Sequence, residues 1–181
     1  MITHRNSLIL FVTFWYSILL PIGSVGAVQS DTSAFTPLFK PSVTIQQTTR
    51  SITVDGNLDD PGWRDATVVD HFTEFEPGEN IRPGVKTEAF VTYDRSHLYI
   101  AFRAYGNPEK IRASLQDRDA MFSDDFVGII LDTYGNQNWA YEIFANPLGI
   151  QGDGRMTQMS EDMSFNIVFQ SRGIITSNGY Q

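Results

Sequence analysis

The sequence predicts an all-β fold, an antiparallel β-sandwich of jelly-roll-like form, and two observations carry that prediction. Between residues 86 and 149, three apolar runs are separated by short polar turns: KTEAFVTY (86–93), LYIAFRAY (98–105) and DFVGIILD (125–132). The runs are rich in β-branched and aromatic residues and are bounded by Gly, Asn, Asp and Pro, the composition that fits a pleated, half-buried surface.

The 181 residues read as three segments. Residues 1–27 have the order of a secretory signal peptide. His4 and Arg5 precede an almost wholly apolar run from Leu8 to Leu20, Pro21 breaks it, and Val25-Gly26-Ala27 ends in small residues. The alternative is an uncleaved membrane anchor, but the run falls short of the roughly 20 residues a span requires. The chain is therefore expected to be exported and cleaved after Ala27. Cleavage removes one of the 13 basic residues (Arg5) and none of the 21 acidic ones, taking the net charge from −8 to −9. So acidic a domain is a poor partner for nucleic acid or anionic lipid. Cysteine is absent, so the core alone must hold the domain. Residues 28–42, rich in Ser, Thr, Asp and Pro, read as a linker, and residues 43–181 as the sandwich.

Within the sandwich, residues 43–45 and 52–54 alternate weakly, as strands do. Asp60 followed by Pro61 fits the start of a single helical turn over 61–66, which would plug Trp63 into one end of the sandwich. Residues 68–75 alternate again, and a long polar loop follows to Gly84. In the second apolar run Leu98, Ile100, Phe102 and Ala104 face the core, while Tyr99, Ala101, Arg103 and Tyr105 face outward. Arg103 and Tyr105 are either ligand contacts or parts of a cation–π-stabilised outer face. Residues 108–111 read as a short helical turn, and 116–125 as a charged loop with Met121-Phe122 at its middle. Another strand, 141–147, is stopped by Pro147. Gly152-Asp153-Gly154 reads as a turn into a strand over 155–159, and 166–172 with 174–176 as a hairpin through Gly173. Ser177-Asn178-Gly179 is a further turn. A strand is due where the chain ends at Gln181, so the sandwich is expected to be truncated at its C-terminus, a piece of a longer polypeptide.

Chemistry-bearing clusters are few. Asp117, Asp119, Asp124 and Asp125 share one loop, with Asp132 beyond it. An oxygen-rich loop can hold Ca²⁺, which takes roughly six to eight oxygen ligands, and Asp124, Asp125 and Asp132 are the candidates. Their spacing matches no ordered calcium loop, so solvated turn carboxylates are the competing reading. No cofactor is required. His71 and His97 are isolated, no Gly-rich loop opens a helix, and no Ser stands in a nucleophile elbow. A glycosidase would need two carboxylates about 5–9 Å apart across a cleft, which a sequence does not display.

Four segments in order carry a resemblance: VDGNLDDPGWRDA (54–66), KTEAFVTYDRSHLYIAF (86–102), SDDFVGIILDTYGN (123–136) and YEIFANPLGIQGD (141–153). Together they resemble the carbohydrate-binding module family 9-like domain, in the version that precedes a predicted outer-membrane β-barrel in large exported bacterial proteins. The likeness runs from about residue 45 to 181. It implies a β-sandwich that binds a glycan or polysaccharide, association with polysaccharide breakdown or uptake and with hydrolysis of O-glycosyl compounds, and a periplasmic or outer-membrane location. It also implies a C-terminal membrane barrel in the parent protein. Glycan modules stack the apolar faces of pyranose rings on aromatic side chains. The family grips sugar between two tryptophans, and the first falls on Phe122. A sugar-orienting acid falls on Gly128, and an arginine on about Phe144. Phe122, Arg103 and Tyr105 are the expected glycan contacts. Three functions stay open: a non-catalytic glycan-binding module, a structural or partner-binding sandwich before a membrane barrel, and part of a hydrolase.

Overall fold

Period-two alternation puts successive side chains of a strand on opposite faces, and from Thr87 to Val91 buried and half-buried residues alternate accordingly. The computed structural model describes residues 8–9 and 35–181. The leader expected over 1–27, apart from Leu8–Ile9, and the first half of the expected linker lie outside the described residues. Eleven strands are present among those described: β1 (Leu8–Ile9), β2 (Gln46–Gln47), β3 (Thr67–Val69), β4 (Thr87–Tyr93), β5 (Leu98–Tyr105), β6 (Val127–Leu131), β7 (Trp139–Ala145), β8 (Gln151–Thr157), β9 (Glu161–Asp162), β10 (Ile175–Thr176) and β11 (Gly179–Tyr180). They form two sheets. Sheet I has the order β1-β6-β7-β8-β9, and sheet II has the order β10-β11-β5-β4-β2, with β3 also pairing β4. The all-β sandwich is as expected.

The core lies between the sheets. Ala89 of β4 and Phe102 of β5 meet Ile129 of β6, and Ile100, Val127, Leu131, Ile143, Val69 and Phe72 pack around them. The face assigned to β5 from its alternation is therefore the buried one, although Leu98 at its outer end is exposed. Asp94 closes the β4–β5 hairpin by accepting from the backbone N–H groups of Ser96 (2.6 Å) and His97 (2.7 Å). Asp132 does the same for β6–β7, accepting from Tyr134, Gly135 and Gln137. Short polar side chains that satisfy turn N–H groups are the reason Asp stands at such corners.

Several local expectations are corrected. Residues 52–54 form no strand. β2 lies one residue past the expected 43–45 and runs parallel to β4, pairing Gln46 with Thr92. Threonines hold that seam: Thr92 Oγ1 donates to the Gln46 carbonyl (2.9 Å) and Thr67 Oγ1 to that of Thr44 (2.9 Å). Of 68–75 only the start is strand. The helical turn forms as a 3₁₀ segment, Pro61–Asp65, with Trp63 half-buried edge-on to Tyr99. Asp60 does not cap it, because its carboxylate accepts from the Thr53 N–H instead (2.6 Å).

Gly152-Asp153-Gly154 is no turn but the middle of β8. A glycine in a strand interior often marks the close approach of another group. Here Met121 and Phe122 lie over Gly152, and Met163 over Gly154. Residues 166–172 form no hairpin strand. The hairpin is β10–β11 through Ser177-Asn178, and β11 pairs with β5. Gly179 has φ +146°, and a side chain there would strike the Ala104 carbonyl.

Candidate functional site

The outer face of sheet I is built on glycine. In register, Gly128 of β6, Phe144 of β7 and Gly152 of β8 stand side by side. With no Cβ on either flank, the Phe144 ring occupies the space beside Gly128, and Phe122 reaches down onto Gly152. Phe122 belongs to a single 3₁₀ turn, Met121–Ser123, that crosses this face just before β6. Met121 is wholly buried, so the turn is anchored by one side chain while its neighbour presents a ring to solvent. Phe122, Phe126 and Phe144 meet edge to face, with centroids 5.5, 5.7 and 5.6 Å apart. Edge-to-face contact pairs the positive rim of one ring with the negative face of another. Phe122 remains 38% exposed. The Gly128 and Phe144 positions, where the resemblance places polar groups, thus serve ring packing.

Two acids share this face, Glu142 of β7 and Glu161 of β9. Glu142 follows Phe144's side of β7, flanked in register by Ile130 and Gly154. It is 5% exposed, and its Oε2 has no hydrogen-bond partner. Burial pushes its carboxyl up from the usual range, and the Glu161 carboxylate adds to the shift. A buried carboxylate of this kind was not foreseen. An acid on the outward side of a strand looks like ordinary surface, and nothing in YEIF distinguishes it.

The turn carrying Phe122 is held by Asp124. Its carboxylate accepts from the Ser114 N–H (2.8 Å), the Ser114 hydroxyl (2.9 Å), Asn146 (2.9 Å) and Gln116 (3.2 Å). Burial pushes Asp124 up, but those donors outweigh it and hold the carboxyl below its usual range. Asn146 in turn accepts from the Leu148 and Ile150 N–H groups, tying the end of β7 to the same cluster. Asp125 takes the guanidinium of Arg112 (3.0 Å). Asp132 stands at the other end of β6, where the Gln137 N–H, then those of Gly135 and Tyr134, hold its carboxyl low. The three metal candidates are thus divided between the two ends of a strand, and each is engaged by N–H donors. Among the described residues no three His, Asp or Glu side chains stand together as a metal's ligand set.

Arg103 and Tyr105 lie on the outer face of sheet II, with the whole sandwich between them and Phe122. Their partner is Glu88, directly across on β4. It accepts from the Tyr105 hydroxyl (2.9 Å), pairs with Lys86 (2.7 Å) and lies 3.7 Å from Arg103. Lys86, then Tyr105, hold the Glu88 carboxyl low. Arg103 sits over Phe90 and Lys86 over Tyr105. The structure therefore does not gather the three expected glycan contacts into one site. Alternation shows that a side chain points outward, but not which of two outer faces it shares with a loop.

Facing the interior from β8, Asp153 is 1% exposed and forms an ion pair with Arg118. It also accepts from the Ile167 N–H. Arg118 donates to the Ile167 carbonyl (2.7 Å) and covers Phe169, while Gln151 binds the Phe169 carbonyl (2.9 Å). Side chains, rather than a strand ladder, fix residues 166–171. The chain matches no family model, no curated protein and no solved structure.

Proposed function

We propose that this chain is a non-catalytic glycan-binding β-sandwich, with the outer face of sheet I as its binding surface. The observation that supports the reading is the half-exposed Phe122 ring, held on an anchored turn above a glycine floor. Sugar rings stack on such surfaces through their apolar C–H faces, and a ring fixed before binding loses little freedom when the sugar arrives. The resemblance to family 9-like modules supports the same class of ligand. It extends the reading to an exported bacterial protein concerned with polysaccharide breakdown or uptake, ahead of a membrane barrel.

The test is the full chain on a glycan array, alongside Phe122→Ala. The expected result is binding to a defined set of glycans that falls at least tenfold in the variant. Binding unchanged by the substitution would reject this face.

A second reading has its own support. Phe122 already packs against two rings, which is what a structural sandwich without sugar affinity would need. A blank array from a folded protein would favour it. Cleavage of an O-glycosyl bond, lost in Asp124→Asn, would favour a hydrolase.

A further inference from the structure

Among the described residues, Glu142 is the buried acid of sheet I's outer face whose carboxylate the fold leaves incompletely bonded. A buried acceptor without a partner is costly, and native structures rarely keep one without a use. On this face its neighbours are Ile130, Ala140, Phe144, Gly154, Met156 and Glu161, and none of them is basic. Among the described residues paired around it on this face there is thus no cation to neutralise it.

We infer that Glu142 determines specificity on this face: it accepts hydrogen bonds from the hydroxyls of a neutral glycan seated on Phe122 and Phe144, and turns away glycans bearing carboxylate or sulfate. The inference rests on the glycan-binding reading above.

Three features support it. Glu142 and Phe144 are two apart on β7 and so point the same way, about 7 Å from each other along the strand. An aromatic surface and a hydroxyl acceptor at that separation both fall within the span of one or two sugar units. Next, Phe122 and Met121 lie over Gly152, and the Met163 side chain lies over Gly154 together with the Asp162 carbonyl and the Met163 backbone. The Met163 side chain is unbranched and flexible, so its thioether end can repack for a ligand while the backbone of β9 stays in place. Finally, a second carboxylate, Glu161, lies on the same face and raises the proton affinity of Glu142. Two carboxylates with no cation repel an anionic sugar and reward a hydrogen-bond donor.

The test is calorimetric titration of the full chain with cellohexaose, xylohexaose, maltohexaose, laminarihexaose and hexagalacturonate. Wild type, Glu142→Gln, Glu142→Leu and Phe122→Ala are compared. The expected result is that wild type binds at least one neutral hexasaccharide and binds hexagalacturonate at least tenfold more weakly. Glu142→Gln lowers neutral affinity about tenfold and Glu142→Leu lowers it further, while both narrow the gap to the acidic glycan. Thermal unfolding of each variant beside the titration separates loss of binding from loss of fold. Neutral affinity unchanged in both Glu142 variants, but lost in Phe122→Ala, overturns this inference and leaves the glycan reading standing. Wild type binding the acidic glycan as tightly as a neutral one also overturns it. Failure of wild type to bind any of the five overturns both.

Discussion

The two outer faces of this sandwich are built on opposite plans. Sheet II presents Lys86, Glu88, Arg103 and Tyr105, and each charge has a partner within the group. Sheet I presents glycines, three interlocked phenylalanines and a carboxylate with an unbonded oxygen. On the first, hydrogen-bonding capacity is consumed internally and little remains for a ligand. On the second, an apolar surface lies beside an acceptor still to be satisfied. A charged, aromatic-flanked strand can thus look like a binding surface in sequence and be a closed network in space. The plainer strand between two glycine-bearing neighbours holds the open valence.

Substitutions that blur this contrast rank by size. The largest effect should come from Gly128→Ala, whose Cβ would meet the Phe144 ring and the Ile143 carbonyl. A carbonyl in a paired strand has nowhere to go, so a loss of about 3 kcal/mol is expected in urea unfolding. Phe122→Ala removes a ring that is only partly buried. It should cost about 1–2 kcal/mol, below the range of roughly 3–5 kcal/mol for a core phenylalanine, while abolishing glycan binding.

Glu142→Leu should stabilise the protein, by about 1 kcal/mol at neutral pH. The sign follows from its raised carboxyl. The folded state holds the proton more tightly than the unfolded state, so wild-type stability falls as pH rises above the ordinary value of 4.5. The gap between variant and wild type should therefore open above that pH and close below it, as pH-dependent thermal unfolding would show. Arg103→Ala on sheet II should change stability by less than about 1 kcal/mol and leave glycan binding untouched. A large loss of binding there would collapse the distinction between the faces.

The strands were legible where packing is simple. Alternation in 98–105 identified the buried Phe102 and Ala104 because one face meets the core and the other meets water. Proline after Asp60 marked the 3₁₀ turn, although Asp60 itself bonds across to Thr53. Reading failed where side chains from distant segments decide. Gly152-Asp153-Gly154 looks like a turn until Phe122, Met121 and Met163 are seen to need the space. Residues 166–172 look like a strand, yet Arg118, Gln151 and Asp153 claim their backbone groups. For the candidate site, the resemblance through SDDFVGIILD singled out Phe122. Glu142 gave no signal, because burial of an outward-facing acid depends on what folds over it.

The tie between Arg118 and residues 153 and 167 also has a consequence in time. Its members are far apart in the chain, Arg118 and Ile167 being 49 residues from each other. Closing such a loop costs entropy before any contact returns it. The partners that hold 166–171, Gln151 and Asp153, are positioned only once β7 and β8 have paired. The segment should therefore dock late, acquiring protection after the hairpin does, and pulsed hydrogen exchange during refolding would resolve that order. Protection appearing there first would mean that the strap guides the sheet and does not follow it.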